Sequence, residues 1–168
     1  AALLDRTDVE LVFSQSVDLN HALSTDPIIH FYEPFLAAYD ADQRRDRGVY
    51  YTPDAVVRYM VAIADRAVKT ASPDHASLAS GAIRVVDPAT GTGTFLREVL
   101  RYCGESAADD AAIGRVLGAV RGLEIMVAPY AICHLRLALT LHSLFKDGRI
   151  ADQAVHVHLA DTLEPAVE

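Results

Sequence analysis

The chain has 168 residues, 51% of them hydrophobic and 23% charged, with a net charge of −8. That balance suits one globular domain and excludes a disordered chain. No apolar run reaches the roughly 18 residues a membrane helix needs, and an acidic chain binds DNA phosphates poorly by itself, because that affinity comes from Lys and Arg.

The start, Ala-Ala-Leu-Leu-Asp5, has no basic stretch and no cleavage site. No signal peptide is expected. It also lacks an initiator Met, which suggests a piece of a larger protein. Residues 1–25 follow no clear pattern. From Asp26 to Tyr39, Ile28, Ile29, Tyr32, Phe35, Leu36 and Tyr39 recur at helical spacing, with Asp26 as N-cap and Pro27 in the first turn. The polar stretch 40–48 reads as a linker or exposed loop. Its Arg44, Arg45 and Arg47 are diluted by Asp42 and Asp46.

Thr52, Pro53 and Asp54 are good residues for a helix start. A helix is expected over 53–70, with Val56, Met60, Ile63 and Ala67 as its apolar face. Residues 72–81 read as a small polar loop. Ile83-Arg-Val-Val86 is a short β-branched strand that runs into Asp87-Pro-Ala-Thr-Gly-Thr-Gly93 and then a helix carrying Phe95, Leu96, Val99 and Leu100. A helix over 109–118 leads to a strand at 120–124. Pro129 opens a long apolar helix to about 145. A last strand covers 155–159 and ends at Ala160-Asp161. Alternating strands and helices predict a parallel sheet with right-handed crossovers.

A strand, a glycine turn and a helix N-terminus place a ligand at the carboxyl end of the sheet. Gly91 and Gly93 let backbone approach it closely. The turn lacks the Lys of a phosphate loop, and Leu96 stands where a dinucleotide fingerprint has its third glycine. Asp87 at its start repels a pyrophosphate and attracts an amine. Glu124 ends the second strand and suits a ribose diol. Asp161 follows the third and can accept from an adenine amino group. Alone, each acid could be a turn, a strand end or a helix cap. Together they describe a pocket for an amino acid joined to a nucleoside, the shape of S-adenosylmethionine. Cys103 and Cys133 stand 30 residues apart, without metal-ligand spacing. They fit a reduced, cytoplasmic protein, and no metal site is expected from them or from His156 and His158.

On these residues the chain resembles the N6-adenine DNA methyltransferases of restriction-modification and phage-defence systems, such as the type ISP and BREX-type enzymes. Asp87-Pro-Ala-Thr-Gly-Thr-Gly93-Thr-Phe is similar to their motif I. Gly48-Val-Tyr-Tyr-Thr-Pro53 is similar to motif X, Gly122-Leu-Glu-Ile-Met126 to motif II and Ala160-Asp-Thr-Leu163 to motif III. The resemblance implies a partial Rossmann-like S-adenosylmethionine-dependent methyltransferase fold over 48–168. Its parallel strands lie in the order 3-2-1 between flanking helices, after an N-terminal helical segment, 1–47. It also implies that Tyr51 and Thr52 close over the methionine end, with Asp87 meeting the ammonium. Thr90, Gly91 and Gly93 then make backbone contacts, Glu124 holds the ribose, Ile125 and Met126 flank the adenine, and Asp161 accepts from its amino group.

One motif is missing. The family's catalytic motif IV is Asn/Asp/Ser-Pro-Pro-aromatic, whose ring stacks on a flipped base. No Pro-Pro pair occurs here, and Ala128-Pro129-Tyr130 only partly imitates it. The expectation is therefore a chain truncated before motif IV, with no catalytic residue of its own and inactive alone. It would meet DNA through other parts of a parent protein, have no membrane partner, and self-associate through a bare sheet edge at 83–86. Two other readings stay open: a methyltransferase for protein, RNA or a small molecule, and a silent nucleotide- or protein-binding module.

Overall fold

The computed structural model describes residues 52–71, 77–107, 109–145 and 155–164. The expected helix at 26–39, the stretch 40–48 and the helical segment 1–47 lie outside them. The chain divides into two compact units, Ala1–Asp54 and Ala55–Glu168, and all the described strands belong to the second.

Helix α1 (Asp54–Ala71) is followed by a single 3-10 turn, Leu78–Ser80. Strand β1 (Val85–Asp87) leads into α2 (Thr94–Glu105) and α3 (Asp110–Ala119). Strand β2 (Val120–Glu124), α4 (Val127–Leu144) and β3 (Val157–Leu159) complete the order. The three strands are parallel, with β2 in the middle. Asp87 stands opposite Gly122, and Glu124 opposite Leu159, so the strands end at nearly one level. This is the expected 3-2-1 arrangement. It brings the loops after β1, β2 and β3 to the same edge.

Local chemistry accounts for the element ends. Asp109 caps α3, and its carboxylate accepts from the Ala112 N–H at 2.8 Å. α4 starts at Val127 rather than at Pro129. Pro129 thus falls in the first turn, where its missing N–H would have had no helical partner. The Tyr130 N–H then makes a helical bond to Met126 O at 3.1 Å.

The core gathers Leu96, Leu100 and Cys103 of α2, Val116 and Leu117 of α3, and Cys133, Leu137 and Leu141 of α4, with Val120 and Val157 from the sheet. α2 packs on both α3 and α4. α1 corrects the sequence reading. Its buried residues are Val57, Val61 and Asp65, while Val56, Met60, Ile63 and Ala67 are exposed. The helix has apolar residues on two faces, and periodicity cannot say which of them the core takes. Among the described residues no helix is long and apolar enough to cross a membrane.

Asp65 is the one acid in that buried face, 2% exposed. It joins three elements. Its Oδ1 accepts from the Leu78 N–H at 2.8 Å, and its Oδ2 from the Tyr102 hydroxyl at 2.9 Å and the Lys69 ammonium at 2.6 Å. Of the expected polar loop at 72–81, residues 72–76 lie outside the described residues, and 77–81 are more than a polar loop, because Leu78 is buried and anchored at its amide. Burial pushes the Asp65 carboxyl up, but the bonds from Lys69, Leu78 and Tyr102, with the Lys69 charge, together hold it below its ordinary value. A lowered carboxyl adds stability above its unfolded-state pKa and loses it as pH falls through the folded value. Asp65→Ala leaves two donors unmet, the Leu78 amide and the Tyr102 hydroxyl. It is expected to cost roughly 1–3 kcal/mol at neutral pH for the buried Leu78 amide, and less for the half-buried Tyr102 hydroxyl. It should cost less in acid, and urea unfolding of both proteins at the two pH values checks this.

Candidate functional site

The site begins where β1 runs out. The Asp87 Oδ1 accepts from the Ala89 N–H at 3.1 Å, which starts the turn. The Thr90 hydroxyl donates to Asp87 O at 3.0 Å, and the Thr90 N–H donates to Leu123 O of β2 at 2.9 Å. Thr90 is buried against the sheet as a result. Gly91 and Gly93 have φ values of +57° and +81°, in the left-handed region that costs other residues energy. Among the described residues a side chain at Gly91 would meet nothing within 4 Å, so on that side they leave the loop open. At Gly93 the space is already taken, since a Cβ there would lie 2.6 Å from Cys133 Sγ.

Glu124 ties the loop to the middle strand. Its Oε2 accepts from the Gly91 N–H at 2.7 Å and its Oε1 from the Met126 N–H at 2.8 Å. Its own carbonyl accepts from the Ala160 N–H at 2.9 Å, which carries the connection to the segment after β3. The side chain is buried, yet each carboxylate oxygen keeps acceptor capacity beyond its one backbone donor. In that next segment the Asp161 Oδ1 accepts from the Leu163 N–H at 2.9 Å. The Thr162 hydroxyl reaches back to Pro88 O at 2.5 Å, so the third loop is held against the first.

The structure thus brings together Asp87, Thr90, Gly91, Gly93, Glu124 and Met126 by direct bonds and chain continuity, and Asp161 through its neighbour Thr162. Ile125 stands exposed beside Glu124, and Leu163, 92% exposed, stands beside Asp161. Thr52 is half-buried just before α1, and Tyr51 lies outside the described residues.

The charges are uneven. Burial pushes the Asp87 carboxyl up and the Glu124 charge adds to this, against the Ala89 N–H, which lowers it. Cys133, under the loop, is pushed up to about 12, by burial first, with Arg136 opposing and Asp87 and Glu124 adding. It stays a neutral thiol and is no nucleophile. Among the described residues no three His, Cys, Asp or Glu side chains cluster as metal ligands. An edge with three acids attracts a cationic ligand and repels a polyphosphate.

The sequence reading missed three contributors. Gly122 in β2 is empty because Thr90 Oγ1 would lie 2.6 Å, and Leu96 Cδ1 2.8 Å, from a Cβ there. Thr162 braces the first loop. Arg136 lies buried below it and donates to Thr92 O at 2.7 Å. Arg136 is the only Lys or Arg among the eighteen residues of α4, and that is the one trace of it in the sequence.

The pattern of the N-6 DNA Methylase family matches residues 23–167. Three solved structures are similar. The DrdV–DNA complex, by cryoEM, is 28% identical with a TM-score of 0.69, over 81% of this chain and 12% of that one. The ATP-dependent Type ISP restriction-modification enzyme LlaBIII bound to DNA is 30% identical with a TM-score of 0.54, over 59% of this chain and 7% of that one. A nuclease-deletion mutant of the Type ISP enzyme LlaGI with a DNA substrate mimic is 23% identical with a TM-score of 0.59, over 91% of this chain and 14% of that one, and bears on the fold alone. This chain therefore spans a small part of each. No curated protein matches it.

Gly122→Ala tests the seating of the loop. The methyl must displace Thr90 or Leu96, and overpacking of this kind costs about 1–3 kcal/mol. The expected result is a lower denaturant midpoint, whereas Gly118→Ala, in open space on α3, leaves it unchanged or raises it.

Proposed function

The chain belongs to the N-6 DNA methylase family, and on that premise we propose that the loops after β1, β2 and β3 hold S-adenosylmethionine for methylation of adenine N6 in DNA by a restriction-modification enzyme. The observation that carries this reading is the row of acids at the ends of three adjacent parallel strands, joined through Gly91 and Glu124. The residues fit such a ligand, and the open side of Gly91 leaves room for it. The match to a DNA methylase family favours DNA over a protein, RNA or small-molecule acceptor.

S-adenosylmethionine, when bound, supplies a methyl group on a sulfonium centre. The chain's own part is to bind and orient. Asp87 takes the ammonium, with Oδ2 left for it by the bond from Ala89. Glu124 accepts from the ribose hydroxyls with the capacity its two backbone donors leave. Asp161 offers Oδ2 to the adenine amino group, with Ile125 and Met126 along the ring. Thr90, Gly91 and Gly93 shape the loop against the ligand, and Tyr51 and Thr52 close over its methionine end. Such transfer needs positioning more than a strong base. The residues that seize a flipped adenine are not in these 168, so we assign none of them a catalytic role and take residues 48–168 as the cofactor-holding part. DNA is met through other parts of a larger protein.

The edge of β1 belongs to the same reading. Among the described residues β1 has a partner on one side only, and Val86 and Met60 are exposed near it. A second copy of the chain is proposed to cover that edge. Sedimentation should show a concentration-dependent dimer that Val86→Lys removes.

Calorimetric titration of S-adenosylmethionine tests the site. The chain is expected to bind it, and Asp87→Ala to bind it about tenfold or more weakly, as for a lost charge-assisted hydrogen bond. Because the Asp87 carboxyl is raised, binding should begin to fall at a higher pH than for an ordinary carboxylate. Asp87→Asn should remove that dependence. Incubation with DNA and labelled cofactor should transfer no methyl. Equal affinity in the Asp87 variants would overturn the assignment.

A further inference from the structure

Arg136 is 1% exposed, on the third turn of α4. Its Nη1 donates to Thr92 O at 2.7 Å, Thr92 Oγ1 at 3.0 Å and Thr94 Oγ1 at 3.2 Å. Taking a guanidinium out of water costs several kcal/mol, so the position calls for a reason. Helix stability does not provide one. α2 begins at Thr94, and the start of a helix carries partial positive charge that disfavours a cation. The N-cap there is Gly93, without a side-chain cap, and the flanking Thr92 and Thr94 hydroxyls accept from Arg136. The cation thus serves the loop at the expense of the helix end.

The segment it grips lies between two fixed points. On one side the Gly91 N–H is bound to Glu124. On the other the Arg97 N–H bonds to Gly93 O at 2.8 Å inside the first turn of α2. Gly91 and Gly93, both in the left-handed region, make this backbone intrinsically permissive, and the Gly93 N–H bond to Thr90 O at 2.9 Å is its one tie within the loop. Arg136 supplies the restraint those glycines cannot.

We propose that Arg136 is a positioning residue, which clamps Thr92 and Thr94 so that the glycine loop keeps its ligand-binding shape before the ligand arrives. The idea rests on the cofactor reading above for its functional consequence, and on the hydrogen bonds alone for the clamp.

Hydrogen exchange on the ligand-free chain separates the two. Arg136→Met removes the charge at similar length and leaves no unpaired cation. The amides of Gly91, Gly93 and Arg97 are expected to exchange about tenfold faster, the loss of one charged hydrogen bond. Those of Gly122 and Ala160, in the sheet and beyond it, should not change. In fully folded protein the affinity for S-adenosylmethionine should fall about tenfold, and Arg136→Lys should recover part of both effects. If Arg136→Met does not fold, the Thr92→Ala, Thr94→Val double variant keeps the buried charge and the Thr92 carbonyl bond, and should give the same local pattern more weakly. Faster exchange at every amide alike, with unchanged affinity in the folded protein, would make Arg136 a packing residue and overturn the proposal. A wild-type chain that ignores S-adenosylmethionine yet shows the local exchange pattern would overturn the cofactor reading and leave the clamp in place.

Discussion

The site depends on the hydrogen bond between the Gly91 amide and the Glu124 carboxylate. It closes a path from β1, through the glycine loop, to the middle strand, and Glu124 passes it on to the third loop through the Ala160 amide. Parallel pairing puts the strand ends at one level, and this bond makes three loops into one rim. A buried carboxylate with two backbone donors is held in orientation, so what remains of its acceptor capacity points in a defined direction. Pre-ordered acceptors lose less entropy on binding than mobile ones.

The rim carries a strained charge pattern. Asp87 sits near Glu124 with its carboxyl raised, and neither acid is offset by a surface Lys or Arg in an ion pair among the described residues. Arg136 lies buried beneath the loop, with its Nη1 turned to Thr92 and Thr94.

The same economy of polar groups holds the outer helix. α1 packs through Val57 and Val61, but Asp65 decides where it lies, because three donors from different elements converge on it. Another face leaves Met60 and Ile63 exposed, with Met60 beside the open edge of β1. A helix with apolar residues on both sides suits a position between two layers.

Much of this was readable in the residues. The strand at 120–124 is where its pattern placed it, and α2, α3 and α4 begin within two residues of their predicted starts, because caps, glycines and apolar periods are local signals. The acids at 87, 124 and 161 were legible as a set because a parallel sheet returns each strand to the same edge. The tertiary structure alone decided the rest. It chose the Val57–Val61 face of α1 over the Met60–Ile63 face, since both satisfy the helical period. It also turned Leu78 inward, left Gly122 without a side chain for the sake of Thr90, and set Arg136 under the loop. Each of these depends on a partner 13 to 44 residues away, or on which face meets the core. Sequence periodicity records neither.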